Sequence, residues 1–302
     1  TTLKCYSNQL AILDVSNNTA LQTLDCADNQ LTFLSVGLSP ALSYLDCTEN
    51  QLTSLDVSEN MELVTLKCSD NQLINLNATR CSVMEDLTCD PNHAYITADN
   101  SVKLVRFGII ADNIQNLTGG EITNDAIVPT VFPSKVTYTY DCGNGWTIPC
   151  TIMFGAAINE TNFPDETFRT YVDENFDTTD DDILYAEEVA EVKELYVSNM
   201  GITDLTGVEY FTALTYLDCG YNQLTSLDVS KNTALEDLFC SSNKLTSLDV
   251  SKNTALEDLF CSENQLTSLD VSKNTALINL DCGSNQLTSL DVSNNTALET
   301  LY

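Results

Sequence analysis

Apolar residues recur with a period of 21 residues along two long segments of the chain. One period, Leu245 to Gln265, contains two half-repeats of the form LxxLxVxxN and LxxLxCxxN. The second Leu of each half and the Val or Cys after it lie two residues apart, which places both side chains on one face of a strand. A fixed period of this length is typical of a solenoid, in which each repeat is one turn stacked on the next. The pattern predicts short strands around an apolar interior that all turns share.

Nine of the twelve cysteines lie on this period and form a cysteine ladder: Cys5, Cys26, Cys47, Cys68 and Cys89, then Cys219, Cys240, Cys261 and Cys282. Cysteines in register on adjacent parallel strands stand about 4.8 Å apart. A disulfide bond needs Cβ atoms about 3.8 Å apart. We therefore predict buried free thiols that pack as small apolar groups, with a chain of disulfides as the alternative.

Asparagines follow the same period: Asn8, Asn29, Asn50, Asn71 and Asn92, then Asn222, Asn243, Asn264 and Asn285. Their amides have both donors and an acceptor, so they can satisfy loop backbone groups that a solenoid interior cannot leave unpaired. We predict a structural role for this asparagine ladder. Cys81 occupies an asparagine position of the pattern, and we interpret it as a substitution at the end of the first array.

The period is lost between Cys89 and Cys219. Alternation from Lys135 to Tyr140, a turn at Gly143 to Gly145 and a return from Trp146 to Phe154 predict a β-hairpin. Helical signals follow: one helix is predicted from Phe163 to Phe176 and a second, short one from about Tyr185 to Val192. The predicted division is a repeat array at 1–92, a β module capping it at 93–157, a helical cap at 158–192 and a second array at 193–302.

The second half-repeat matches the leucine-rich repeat consensus, with Cys at the third Leu position. The text LTSLDVSKNTALEDLFCSENQ resembles the Cys-containing 21-residue repeats of internalin J-type bacterial surface proteins, and the match covers residues 3–92 and 195–302. The resemblance implies an α/β-type leucine-rich-repeat solenoid, mainly β and coil, in two arrays. It also implies an all-β immunoglobulin-like cap module at 93–157, and residues 158–192 resemble the short helical cap of that family, which is related to a truncated EF-hand.

The same resemblance implies a protein that is secreted or attached to the bacterial cell surface and that binds a protein or glycan of another cell. The chain has 44 acidic and 12 basic residues and a formal net charge of −32. This charge disfavours nucleic acid and anionic lipid as partners and leaves cations, basic protein patches and uncharged glycans. No apolar run reaches the roughly 18 residues of a membrane span. Since no signal peptide is visible, we expect a piece of a longer protein.

The candidate binding surface is the predicted concave face of the second array, where residues beside the buried strand positions point outward. Aromatic and acidic side chains alternate there, which is typical of recognition patches. The candidate residues are Tyr196, Tyr216, Asp218, Tyr221, Asp237, Phe239, Asp258, Phe260, Asp281 and Tyr302. The alternative is that Phe239 stacks on Phe260 only to stabilise the sheet. The matching positions of the first array predict an ordinary mixed surface.

An acidic loop between the two predicted helices can be aligned with a twelve-residue calcium loop, with Asp177, Asp181 and Glu188 as ligands. Thr179 replaces the usual acid or amide, and Asp182 stands where a Gly normally makes the sharp turn. The alternative is a vestigial loop whose acidic side chains are solvated and favour the N-terminus of the following helix. Calcium is the one cofactor that the sequence raises.

Nothing in the sequence indicates catalysis. The single histidine, His93, is expected to be a solvated or cap residue, and no nucleophile motif, phosphate loop or metal-spaced His/Cys set is present. A disulfide between Cys142 and Cys150 is conceivable but not favoured. We therefore predict a non-enzymatic extracellular binding or adhesion protein, with a structural spacer as the alternative. Open array ends would let chains associate end to end.

Overall fold

A computed structural model describes residues 1–15, 17–96 and 101–302. The chain divides into two compact units, Thr1–Gly155 and Ala156–Tyr302, which we call unit 1 and unit 2. The fold is a leucine-rich-repeat solenoid, mainly β and coil, with a mixed-sheet region in the middle of the chain. Every helix among the described residues is too short or too polar to span a lipid bilayer.

The first array of unit 1 contributes one short strand per turn to its main sheet and a second strand from each of two turns. Its strands are β1 (Thr2–Lys4), β2 (Thr23–Asp25), β3 (Tyr44–Asp46), β4 (Leu55–Asp56), β5 (Thr65–Lys67), β6 (Leu76–Asn77) and β7 (Asp86–Thr88). The strands β1, β2, β3, β5 and β7 form a parallel sheet with residues 21 apart in direct register. The strands β4 and β6 pair in parallel on what we call the Val side of the turns, which the LxxLxVxxN half-repeats form. The main sheet lies on the Cys side, which the LxxLxCxxN half-repeats form.

The cysteine ladder has the predicted structure. All twelve cysteines are free thiols, and all are buried except Cys5, which is half-buried. Cys142 and Cys150 are therefore not bridged. Burial raises the pKa of Cys26 to about 12 and that of Cys142 to about 12. These two thiols thus remain protonated in an apolar interior, whereas the hydrogen bond with Cys68 lowers the pKa of Cys89.

The asparagine ladder joins successive turns. In the array of unit 1, Nδ2 of Asn50 donates to the carbonyls of Cys26, Cys47 and Thr48 at 3.1–3.2 Å, and Oδ1 accepts from the N–H of Leu31 at 2.9 Å. One side chain therefore satisfies four backbone groups from two turns. The predicted structural role is confirmed.

A second asparagine series, which the sequence analysis did not assign, lies on the Val side of the turns: Asn60, Asn232, Asn253, Asn274 and Asn295. Nδ2 of Asn253 donates to the carbonyls of Val229 and Asn232 in the preceding turn, at 2.9 and 2.8 Å. Cys81 occupies the matching place, with Sγ 3.1 Å from the carbonyl of Val57 and 3.6 Å from that of Asn60. Cys81 is therefore the substitution that its position indicated.

Nine turns leave their Cys-side strand through one residue in the left-handed backbone region, two positions after the ladder Cys or, in the first turn of the second array, after Val197. These residues are Ser7, Asp28, Glu49, Asp70, Asn199, Tyr221, Ser242, Glu263 and Ser284, with φ between 52° and 56°. The conformation directs the backbone N–H toward the next turn: for example, the N–H of Ser242 donates to the carbonyl of Ser262 at 2.9 Å. The turn that contains Cys89 has Pro91 two positions after the ladder residue and does not follow the rule of the other turns.

The rest of unit 1 is a mixed-sheet region with two 3₁₀ helices, Leu104–Phe107 and Ala111–Asn113. Its strands are β8 (His93–Ile96), β9 (Val102–Lys103), β10 (Ile114–Thr118), β11 (Gly120–Thr123), β12 (Ala126–Pro129), β13 (Ser134–Gly143) and β14 (Trp146–Ala157). The predicted hairpin is confirmed as β13 and β14, joined by Asn144 and Gly145 with φ of 53° and 81°. The strand β8, which includes the half-buried His93, pairs in parallel with β14.

The hairpin covers the last turns of the first array. The hydroxyl of Tyr138 donates to the carbonyl of Ile74 at 2.6 Å, and Nδ2 of Asn144 donates to that of Ala78 at 2.9 Å. The N–H of Ala78 in turn donates to the carbonyl of Cys142 at 3.0 Å. Apolar residues of the hairpin and of the repeats therefore share one core.

Unit 2 begins with α1 (Glu166–Phe176), β15 (Ile183–Tyr185) and α2 (Ala186–Val189). The helix α1 begins three residues later than predicted, because Asp165 is its N-cap and accepts from the N–H of Phe168 at 3.0 Å. Phe163 is instead buried against the first turn, where a Cβ on Gly207 would lie 2.2 Å from its ring. The helix α2 is shorter than predicted: it begins next to Tyr185, which ends β15 and serves as the N-cap, and it ends at Val189, three residues before the predicted end.

The second array follows and contains a 3₁₀ helix, Val208–Tyr210. Its strands are β16 (Glu194–Tyr196), β17 (Tyr216–Asp218), β18 (Asp237–Phe239), β19 (Asp258–Phe260), β20 (Asn279–Asp281) and β21 (Thr300–Leu301). They form one six-stranded parallel sheet in chain order. The central Leu of β16 to β20 is buried, so the residues on either side of it point outward.

Candidate functional site

The outward residues of β16 to β21 form the surface that we call the strand face of unit 2. The register places them in two columns, as predicted. The first column is Glu194, Tyr216, Asp237, Asp258, Asn279 and Thr300. The second column contains Tyr196, Asp218, Phe239, Phe260 and Asp281.

Four aromatic rings contact one another in series across this face, with Phe239 and Phe260 stacked at 12° and the other two pairs tilted at 39° and 36°. The centroids of Tyr196 and Tyr216 are 5.0 Å apart, those of Tyr216 and Phe239 5.2 Å, and those of Phe239 and Phe260 4.9 Å. The sequence analysis expected only the last contact. Tyr216 lies in the first column and reaches its partners diagonally, which long side chains on neighbouring strands can do.

The stack leaves ring edges rather than ring faces toward the solvent. Side chains stand roughly perpendicular to a sheet, and the planes of Phe239 and Phe260 differ by only 12°. Both phenylalanines and Tyr216 are half-buried, while Tyr196 at one end is 51% exposed. The predicted aromatic patch is therefore present, with its phenylalanines less exposed than expected, because the rings cover one another.

Carboxylates flank the stack along both columns. Asp258 accepts from Nδ2 of Asn279 at 2.7 Å, and Asp218 and Asp281 accept from the N–H groups of Gly220 and Gly283 at 3.1 and 3.0 Å. The pKa of Asp237 is raised, chiefly by its partial burial and then by the negative charges of Asp258, Glu236 and Glu257. Negative charge is thus concentrated beside the rings.

The strands of unit 2 contain no residue that could neutralise this charge. Their sequences are ELY, YLD, DLF, DLF, NLD and TL, which hold five acidic residues and no basic one. Burial and the carboxylates of Asp218, Asp237 and Glu194 raise the pKa of the Tyr216 hydroxyl, in keeping with the negative potential of this face.

Two candidate residues lie outside the stack. Tyr221 is 68% exposed and follows β17, and Tyr302 is 74% exposed after β21. The backbone N–H of Tyr302 donates to the carbonyl of Leu280 at 2.9 Å, which holds the residue beside β20. The structure therefore brings together the four contacting rings and the aspartates, and leaves these two tyrosines at their margin.

The equivalent surface of unit 1 contains an ordered group that the sequence analysis missed. Nζ of Lys67 lies 5.8 Å from the ring centroid of Tyr44 and 3.9 Å from Oδ2 of Asp46. The Tyr44 hydroxyl donates to the same oxygen at 3.2 Å. Tyr44 and then Asp46 raise the pKa of Lys67. The signal was available, because Tyr44 and Lys67 are diagonal neighbours on adjacent strands.

The acidic loop of unit 2 is organised by its own backbone. Asp177 accepts from the N–H groups of Thr179 to Asp182 at 2.8–3.4 Å, and Glu188 accepts from those of Thr178, Thr179 and Tyr185 at 2.7–3.3 Å. Asp182 adopts φ of 60° at the turn where a Gly was expected. Asp181 accepts from the hydroxyl of Thr179 and the N–H of Ile183. Among residues 1–15, 17–96 and 101–302, no group of three or more His, Cys, Asp or Glu could hold a metal ion.

A cleft of about 370 Å³ lies on the Val side of unit 2, away from the strands. Its lining includes Asp204, Glu209, Asp228 and Lys231. Oδ1 of Asp204 and of Asp228 each accept from the N–H two residues further on, at 2.9 Å. These aspartates therefore stabilise turns of the repeat.

No protein-family model matches the sequence. Over 131 residues, 43% of its length, the chain is 39% identical to internalin J of Listeria monocytogenes serotype 4b (strain F2365). The match covers 13% of internalin J, so the chain spans a small part of that relative.

Two solved structures are also similar. The functional domain of internalin J from Listeria monocytogenes, which includes a cysteine ladder, matches 100% of this chain and 43% of its own chain at 28% identity, with a TM-score of 0.33. The internalin InlF of Listeria monocytogenes strain 4b F2365 matches 100% of this chain and 73% of its own chain at 19% identity, with a TM-score of 0.38.

Proposed function

We propose that this chain, an internalin J-like leucine-rich repeat protein of a non-enzymatic kind, is an extracellular binding or adhesion protein. The proposed ligand is a protein or glycan, and the proposed binding surface is the strand face of unit 2. The observation behind the proposal is the series of four contacting aromatic rings at outward positions.

The strands need no aromatic residue at these positions. The interior is already closed by the leucines and thiols, and the strands of unit 1 have threonine, aspartate or lysine at most outward positions. Clustered tyrosines and phenylalanines beside polar groups are typical of the energetically dominant part of a protein interface. The four rings therefore favour recognition as their role.

The alternative function is that of a spacer within a larger surface protein. It is favoured by the same stack, because paired rings stabilise neighbouring strands without any ligand. Under this alternative the ladders hold the array straight and the strand face has no partner.

A double substitution separates the two functions. Phe239→Ser with Phe260→Ser should weaken binding to a ligand found in a screen of glycans and host proteins at least tenfold. Tyr44→Ser in unit 1 is the matched control and should leave binding within twofold. Phe239→Leu with Phe260→Leu preserves apolar area if the serine variant folds poorly. Unchanged binding by folded variants of both kinds would support the spacer.

The finer features of the predicted architecture belong to this proposal. The chain is proposed to be secreted or held at a bacterial cell surface, with residues 93–157 as an immunoglobulin-like cap and residues 158–192 as an EF-hand-like cap of the second array. The end-to-end association of chains stays a prediction. Sedimentation velocity at high concentration tests it, because a single monomer boundary would contradict it.

For the acidic loop we favour a structural role over calcium binding. The carboxylates of Asp177 and Glu188 are already occupied by backbone N–H groups, which fixes the loop between α1 and α2. Calorimetry with CaCl₂ is expected to show no micromolar binding. Micromolar binding that Asp177→Ala abolishes would establish the calcium site instead.

A further inference from the structure

Unit 1 and unit 2 contain the same tripeptide on a parallel strand, with a buried Leu between an outward Tyr and an outward Asp. Tyr44-Leu45-Asp46 forms β3 and Tyr216-Leu217-Asp218 forms β17, and each is followed by a parallel neighbour in direct register. The residue that faces the aspartate from the next strand is Lys67 in unit 1 and Phe239 in unit 2. The two units therefore present one arrangement with a cation and one without it.

In unit 1 the cation is supplied by the chain itself. The ammonium group of Lys67 lies beside the Tyr44 ring and the Asp46 carboxylate. A ring face and a carboxylate together attract a cation more strongly than either does alone. The position of Lys67 shows that the outward Tyr and Asp of such a strand can hold an ammonium group beside them.

In unit 2 the same place is filled by a ring, and the number of carboxylates is larger. Asp237 and Asp258 face each other across β18 and β19, and Glu236 and Glu257 precede them. Like charges on neighbouring strands destabilise a sheet. This repulsion has no benefit for the fold, and a ligand with positive charge would relieve it.

The orientation of the rings limits the kind of ligand. A sugar that stacks on an aromatic residue needs an open ring face, but the inner faces of this stack are covered by neighbouring rings. Ring edges with carboxylates beside them suit a side chain that has an apolar stem and a charged end. Lysine and arginine have this construction.

We propose that the ligand of the strand face of unit 2 is a basic polypeptide segment, whose Lys or Arg stems lie on the edges of Tyr216, Phe239 and Phe260 and whose charges meet Asp237 and Asp258. This inference rests on the proposed function and specifies its partner. The formal net charge of −32 would also speed the approach of such a segment.

The test uses the whole chain and fluorescein-labelled 12-residue peptides of alternating Arg and Thr, followed by fluorescence anisotropy in 0.15 M NaCl. One control peptide has citrulline in place of every Arg, which removes the charge and preserves the shape. Asp237→Asn with Asp258→Asn should weaken binding of the Arg peptide at least tenfold. Asp25→Asn with Asp46→Asn changes the net charge equally on the strand face of unit 1 and should change binding less than twofold.

Three outcomes would overturn the inference: equal weakening by the two asparagine pairs, equal binding of the citrulline peptide, or no binding of the Arg peptide. Equal weakening would mean a general attraction of an acidic protein for a polycation. The proposed function is tested separately by the Phe239→Ser, Phe260→Ser variant and the screened ligand. If that variant loses the ligand while the unit 2 asparagine pair retains it, the binding surface stands and the basic partner is wrong.

Discussion

In unit 1 the ring of Tyr44 has the ammonium group of Lys67 beside it, and in unit 2 the ring of Tyr216 has the ring of Phe239 there. The five Cys-side strands of unit 1 hold three acidic and two basic residues, against five acidic and none in unit 2. The strands of unit 1 therefore have one more acidic than basic residue, whereas those of unit 2 have five more. Ligand binding is therefore expected at the second surface.

The interiors of the two arrays do not differ in this way. Nδ2 of Asn243 donates to the carbonyls of Cys219, Cys240 and Ser241 at 3.0–3.4 Å, and Oδ1 accepts from the N–H of Leu224 at 3.0 Å. These are the contacts that Asn50 makes in unit 1. The repeat thus fixes the interior and leaves the outward positions free to change.

The largest effect is expected inside the arrays. Asn243→Ala removes four hydrogen bonds and leaves the buried N–H of Leu224 without its partner, while the carbonyls of Cys219 and Cys240 keep the amides of Asn222 and Asn264. At roughly 1–3 kcal/mol for the unpaired group, it should lower the free energy of unfolding by about 2 kcal/mol. Asn50→Ala should cost the same in unit 1. Urea denaturation measures both, with far-UV circular dichroism for the whole chain and the single Trp146 for unit 1. A loss below about 1 kcal/mol in either array would contradict the shared interior.

The next largest effect is expected from a substitution that gives the strand face of unit 2 the lysine found in unit 1. Phe239→Lys should place an ammonium group beside Tyr216 and Asp218, as Lys67 lies in unit 1, and so compete with an external cation. Affinity for the Arg peptide should fall at least tenfold, or about 1.4 kcal/mol. Thr275→Lys adds the same charge at an exposed position outside the strands and should change affinity less than twofold. Similar losses in the two variants would mean that only net charge matters.

A smaller effect is expected from the ring stack on stability. Phe239→Leu retains apolar area and removes the contacts with Tyr216 and Phe260, so unfolding should become easier by about 1 kcal/mol. A double-mutant cycle with Phe260→Leu isolates the ring contact from other changes. A coupling energy near zero would mean that the ring contact does not stabilise the sheet, which would contradict the role that the spacer function gives it.

The smallest effect is a pair of opposite pH dependences. Burial and neighbouring carboxylates raise the pKa of Asp237. Its ionised form therefore lowers the stability of the folded chain at any pH above this raised pKa. The loss disappears once the pH has fallen below the ordinary pKa of an aspartate. Asp237→Asn should therefore be slightly more stable than the natural chain at neutral pH but not in acid. The melting temperature between pH 3 and pH 7 measures this difference.

Asp249 provides the opposite case. The N–H and hydroxyl of Ser251 lower its pKa, so its stabilising contribution is complete above the ordinary value and is lost as the pH falls through the lowered pKa. Asp249→Asn should be less stable than the natural chain at neutral pH and equal to it in acid. Parallel curves for the two variants would contradict the assigned environments.

The sequence predicted the periodic parts of the molecule because one rule applies to every turn. The cysteine ladder, the asparagine ladder and the outward columns all follow from strand alternation and a 21-residue period. Contacts between columns, such as Tyr216 with Phe239 and Lys67 with Tyr44, depend on side-chain directions that the period does not contain. The start of α1 was misplaced because Asp165 caps a helix that the apolar pattern alone would extend to Phe163, and α2 ends three residues earlier than the apolar pattern predicted.

The left-handed residue that follows the Cys-side strand in nine turns has a further consequence. The backbone there is imposed by hydrogen bonds to the next turn, whatever the side chain, since Ser242, Glu263 and Tyr221 all adopt it. For residues other than Gly or Asn this conformation costs about 1 kcal/mol. Each of these nine turns therefore has one position that accepts different side chains, and within each array these positions follow the period of the repeat. An engineer could relax each of these turns there with glycine, or attach a row of labels at a fixed pitch.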